Sequence, residues 1–193
     1  MQDFGFYFGP GWHHIISKDA LDHQLFIMAL AAIYMLRDWK QVLVLVTAFT
    51  IGHSVTLALS ATKVITVDTA LVEFLIAITI MVTAFSNLFQ KKFTPKTIRI
   101  NYFLALFFGL IHGLAYSQYI RFATEGSDQN IVWSLFGFNA GLEVGQIVVV
   151  VFILLLTQLI VQVCKVNRRD WVFFLSAGAF ALALKMALDR FPT

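Results

Sequence analysis

An all-α membrane bundle of about six transmembrane helices is the fold this sequence predicts, and three observations carry it. Hydrophobic residues make up 59% of the 193-residue chain and charged residues only 13%, with a mean hydropathy of +0.79, which does not fit a water-soluble domain. The charges fall in short clusters between long apolar runs, the pattern of segments that must shed charge to lie in lipid. Those runs have helical crossing length rather than the roughly ten-residue alternation of barrel strands, and a helix satisfies its own backbone in hydrocarbon.

Taken in order, residues 1–20 form an outer interfacial segment ahead of the first helix. Its start, MQDFGFYFGPGW, lacks the basic region and small-residue cleavage site of a signal peptide, so Phe4, Phe6, Tyr7, Phe8 and Trp12 read as headgroup-level aromatic anchors of a retained segment. Spans follow at about 21–36, 41–60, 67–88, 99–118, 131–163 and 171–188. The fifth is too long for one upright crossing of a ~30 Å core, so it tilts or begins as an interfacial turn. No linker or low-complexity tract divides the chain, which reads as a single membrane domain over 1–193.

Lysine and arginine assign the sides. With N-out and C-out, the inner loops hold Arg37, Lys40, Lys91, Lys92, Lys96, Arg99, Lys165, Arg168 and Arg169, nine of the fourteen cations. Lys18, Lys63, Arg121, Lys185 and Arg190 lie toward the outside, where Asp3, Asp19, Asp22, Asp68, Glu125, Asp128 and Asp189 make a face that attracts cations. The net charge of +3 therefore records topology; basic residues spread over loops give no recognition element for nucleic acid. Partners are lipid, a small ion and, for a bundle this small, a second copy of itself. The single cysteine, Cys164, excludes an intrachain disulfide and a thiolate metal cluster.

Ionisable groups inside spans are costly, so each is a functional candidate. Asp22 and His23 open the first span at the outer surface, and His53, Glu73 and His112 fall on the next three, all within roughly 10 Å of the outer boundary. Asn139, Glu143 and Gln146 share a face of the fifth span, and Gly137, Gly141 and Gly145 form a close-packing stripe on nearly the opposite face. Thr47, Thr50 and Ser54 line the second span beside His53 and extend a polar path inward. Read singly, each histidine is as well explained by a helix–helix hydrogen bond, and Asp22 by a helix N-terminal charge; the shared depth is what points to a site. His53 with Glu73, and His112 with Glu143, also form a faint internal echo suited to a pseudo-repeat interface. Imidazole and carboxylate without thiolate suit nickel, cobalt, zinc, iron or manganese rather than copper(I).

Five strings, GWHHIISKDALDHQLF at 11–26, FTIGHSVTLALS at 49–60, VEFLIAI at 72–78, FGLIHGLAYS at 108–117 and FNAGLEVGQ at 138–146, together resemble the HupE/UreJ family of bacterial membrane proteins across nearly the whole chain. The resemblance implies a multi-helix inner-membrane protein of a family regarded as secondary nickel or cobalt permeases. It carries the family's His and Asp-His motif onto His14, Asp22 and His23, and its later motifs onto His53, Glu73, His112, Asn139, Glu143 and Gln146. The hydrogenase-linked branch has H-P-x-x-G-x-D-H; here the His-to-Asp spacing is eight and the Pro and Gly are absent, so the chain resembles the second subfamily. The implied metal ligands are His14, Asp22, His23, His53, Glu73, His112 and Glu143, with Thr50, Ser54, Asn139 and Gln146 along the polar path.

Three functions accommodate these residues. A secondary permease for a divalent ion, nickel or cobalt by resemblance, needs no ATP motif, and none is present. A zinc-dependent intramembrane hydrolase would use the same histidines with Glu73 or Glu143 as base, although no H-E-x-x-H or G-x-S-x-G string accompanies them. A non-transporting partner that hands metal to another complex would need only the binding site.

Overall fold

The computed structural model describes residues 4–62, 64–65, 67–90, 95–115 and 131–192. Among the described residues seven α-helices follow one another: α1 Phe4–Ile16, α2 Leu21–Ala31, α3 Trp39–Ala61, α4 Thr69–Phe89, α5 Pro95–Ala115, α6 Ile131–Gln158 and α7 Arg168–Asp189. Single turns of 3-10 helix at Lys18–Ala20 and Leu36–Asp38 precede α2 and α3, and a π turn at Leu159–Val163 ends α6. The described residues contain no strand. Among the described residues four helical stretches are long and apolar enough to cross a membrane: Leu36–Ser60, Thr69–Phe89, Val132–Val163 and Arg168–Asp189. The α5 helix matches them in length, with 21 residues.

The beginning of the chain departs from the sequence expectation. Residues 1–20 read as a pre-helical segment, yet 4–16 form α1. The span expected over 21–36 is helical only to Ala31, 11 residues or ~16 Å, well short of a ~30 Å core. The reason is local. Ser17 turns the backbone to an extended conformation, with ψ 161°, and the chain after Ala31 leaves the helix while residues 31–35 stay buried. The side chains of Asp3, Phe4, Asp19, Lys63, Lys91, Lys92, Lys96, Arg99, Arg121, Glu125 and Asp128, and residues 116–118 of the fourth expected span, lie outside the described residues.

Glycine contacts give the relative directions. Gly141 sits against Phe8 and Trp12, and Gly145 against Ile15, so α1 runs alongside α6 in the same sense. Gly109 sits against Phe49 and Gly113 against His53 and Thr56, so α3 and α5 also run in the same sense. Asp22 lies near Glu73 and Asn87 near Ala29, which sets α2 parallel to α4. Thus α1, α2, α4 and α6 descend together, and α3, α5 and α7 return.

These contacts also show what holds the bundle. Lipid is as apolar as leucine, so helices associate by close packing rather than by burial. A Cβ on Gly109 would collide with the Phe49 carbonyl, and one on Gly141 with that of Phe8; only glycine lets those backbones touch. Large apolar side chains such as Val44, Ile51, Phe107, Val148, Phe152 and Phe174 point outward. Around the interior, Phe26, Phe49, Phe138, Leu45, Leu142 and Leu154 form a continuous core.

Gly109→Leu is expected to separate α3 from α5 and destabilise the fold by about 2 kcal/mol or more, as overpacking does. Thermal unfolding of the detergent-solubilised protein would register it as a lowered midpoint, while Gly178→Leu, at a position with open space around it, is expected to leave the midpoint near that of the wild type.

Candidate metal centre

The break between α1 and α2 is where the histidines meet. His14 lies two residues before the end of α1 and His23 two residues after the start of α2, so a chain that turns at Ser17 sets them side by side, with ring centroids 4.5 Å apart. Gln24 fastens the break by donating both amide protons, to the carbonyls of Ile15 and Ser17, each at 3.0 Å. His53 of α3 stands 6.1 Å from the His14 ring and 6.3 Å from the His23 ring, and His112 of α5 stands 4.9 Å from His23. One donor atom from each of His14, His23 and His53 falls within 4.8 Å of the others. His14, Asp22, His23 and His112 line a cavity of about 140 Å³ with Ser17 and Ile76.

The His23, His53 and His112 rings each have the Nδ1 side against an acceptor. The His23 Nδ1 donates to the Asp22 carboxylate at 2.9 Å, and the His112 Nδ1 to the Phe108 carbonyl at 2.8 Å. The His53 Nδ1 reaches the Asn139 amide oxygen at 3.4 Å; that amide is oriented because its nitrogen donates to the Leu135 carbonyl at 2.8 Å. Since an acceptor at Nδ1 requires the proton there, a neutral ring carries its lone pair on Nε2. The Nε2 atoms of His23, His53 and His112 are buried without a hydrogen-bond partner among the described residues. Unsatisfied buried nitrogens call for an explanation, and three of one tautomer in one place have the chemistry of a metal ligand set. Carboxylate on Nδ1 and free Nε2 is the arrangement that orients metal-binding histidines elsewhere. His53 is further held between the Phe49 and Phe138 rings, each 6.2 Å away and nearly parallel.

The spread of 4.8 Å exceeds the about 3.4 Å that separates nitrogens around a tetrahedral ion with bonds of about 2.1 Å. An ion held by all three would draw the rings closer together. With neutral imidazoles, Asp22, Glu73 and Arg190 leave one net negative charge beside the cluster.

The remaining expected residues divide. Asp22 and His23 open α2 as expected, and His23 is buried beside His53, which lies eight residues before the end of α3, or about 12 Å. Glu73 stays out of the cluster; its side chain is 46% exposed and pairs with Arg190 at 3.8 Å. Glu143 is apart as well, accepting from the Thr47 hydroxyl at 2.8 Å. Asn139 touches the site through His53, and Gln146 accepts from Thr50 at 3.0 Å, so both face the bundle interior. The Ser54 hydroxyl instead donates to the Thr50 carbonyl of its own helix at 2.7 Å. His13 is exposed, and His14 is the member of that pair in the cluster. The internal echo holds for the two histidines, which both face Phe49, and not for the two glutamates.

Sequence reading missed Gln24, whose role depends on where the helix breaks, and Arg190, whose Nη1 lies 3.7 Å from the second Asp22 oxygen. The signal for Arg190 was present: a cation at an outer helix end runs against the charge bias that fixes topology.

The family model described as HupE / UreJ protein matches residues 1–188. No curated protein and no solved structure matches the chain.

Replacing Asp22 by Asn keeps the volume and removes the charge that holds the His23 proton on Nδ1. Cobalt(II) affinity of the purified protein, followed by the absorption bands of the bound ion, is expected to fall ten- to a hundred-fold, the usual cost of losing such a supporting carboxylate.

Proposed function

We propose that this protein, which belongs to the HupE/UreJ family, is a secondary permease for a divalent transition-metal ion, nickel or cobalt, in a bacterial inner membrane. The observation that carries the proposal is the meeting of histidines from α1, α2, α3 and α5 at a helix break, with the Nε2 atoms of His23, His53 and His112 buried and unpartnered among the described residues. Discontinuous helices with a site at the break are a recurrent construction for transported ions, because non-helical backbone is tolerated at membrane depth where it is buried or lines a cavity.

On this reading α1 and α2 together make the first of six crossings, and both termini lie outside. The ion enters through the cavity beside Asp22 and His112, binds His14, His23 and His53, and moves inward past Asn139 toward the Gln146–Thr50 and Glu143–Thr47 pairs. Asp22 acts through the His23 ring. Glu73 stands at the mouth as a collecting charge. Imidazole donors suit nickel, cobalt and zinc alike, and the family reading favours the first two. The hydrolase alternative named Glu73 or Glu143 as base, and those two carboxylates pair with Arg190 and Thr47 instead.

Uptake of nickel or cobalt into proteoliposomes is expected to fall at least tenfold for His23→Ala and for His112→Ala at equal incorporation. Undiminished uptake in both variants would remove the basis of the permease reading, and peptide or ester hydrolysis lost with the same histidines would replace it by the enzyme.

A further inference from the structure

Next to imidazoles suited to a cation stands an arginine. Arg190 follows the last turn of α7 and reaches over the cavity: its Nη1 lies 3.7 Å from Asp22 Oδ2 and its Nε 3.8 Å from Glu73 Oε2. The other Asp22 oxygen holds the His23 proton. One carboxylate therefore links the guanidinium to the imidazole cluster. An arginine so close to a divalent ion repels it, and it cannot relieve the repulsion by losing its proton. It can only move.

Its contacts permit movement. Both ion pairs are longer than the 2.7–2.9 Å of a charge-assisted hydrogen bond, and Nη1 is buried with no hydrogen-bond partner among the described residues. The side chain is 29% exposed, which gives it an outward path. Arg190 also lies two residues beyond the stretch matched by the family model.

We propose that Arg190 is a positioning residue of the permease site: its guanidinium balances the charge of Asp22 and Glu73 when no ion is bound and swings outward when a divalent cation arrives at the histidines. The competition makes ion binding weaker and ion release faster, which a carrier requires and a storage site does not. The inference rests on the permease reading and extends it to a residue that acts through carboxylates rather than on the ion.

Arg190→Gln removes the competitor and is expected to tighten cobalt(II) binding to the purified full-length protein roughly tenfold, since like charges a few ångströms apart near a protein surface interact that strongly or more. In proteoliposomes the same variant is expected to show lower KM and lower kcat, and Arg190→Lys, which keeps the charge, to return both toward wild type. Glu73→Gln leaves Arg190 to Asp22 alone and is expected to shift binding the other way, several-fold weaker; loss of fold would weaken both variants. Unchanged or weaker binding in Arg190→Gln, or a failure of Arg190→Lys to restore it, overturns the inference and leaves the permease standing. Absence of cobalt(II) binding and transport in the wild type overturns the permease reading, and the inference falls with it.

Discussion

A backbone that leaves the helix inside a membrane bundle must find its hydrogen bonds from neighbours, because hydrocarbon offers none. The stretch from Ile15 to Ile33 leaves it twice, and three side chains meet the requirement. Gln24 donates to the Ile15 and Ser17 carbonyls, Asn87 of α4 to the Ala29 carbonyl, and Arg168 of α7 to the Ile33 carbonyl. Without them the break would be too costly to keep. With them, α1 and α2 stay in the same sense, and His14 and His23 are set opposite His53 and His112.

The site then depends on a second set of bonds that act on the rings themselves. Asp22, Asn139 and the Phe108 carbonyl each take the Nδ1 side of one imidazole. Fixing the proton on one nitrogen exposes the lone pair of the other, so the fold presents donor atoms before any ion arrives. Close packing makes this possible: the glycine contacts between α3 and α5 bring His53 and His112 around Phe49. An apolar cage of Phe26, Phe49, Phe108 and Phe138 limits where those rings can go. Glu73 and Glu143 are held by Arg190 and Thr47 instead, which sets both carboxylates apart from the imidazole nitrogens.

Much of this was legible in the residues. The all-helical membrane class followed from composition and run length, and the four long helices occupy stretches read as spans, at Leu36–Ser60, Thr69–Phe89, Val132–Val163 and Arg168–Asp189. The histidines were marked as sharing a depth, and the glycine stripe as a packing face, which Gly141 and Gly145 serve against α1. Less legible was the first crossing. Apolar length cannot distinguish one helix over 21–36 from two halves over 4–31, because Ser17 and the polar residues beside it look the same at an interface as at a buried break. Glu73 was misplaced for a related reason: helical spacing gives depth along an axis, while the direction around it depends on which neighbour packs there.

By itself, then, the sequence determined the solvent, the secondary structure and the chemical kind of site, because hydropathy, helical period and donor type are properties of residues near one another in the chain. Tertiary structure decided which donors meet. His14 and His23 come together through a turn held by Gln24, and His53 and His112 through a glycine contact between distant helices; Arg190 reaches Asp22 from 168 residues away. Such encounters are set by the directions and rotations of packed helices, and no local pattern encodes those quantities.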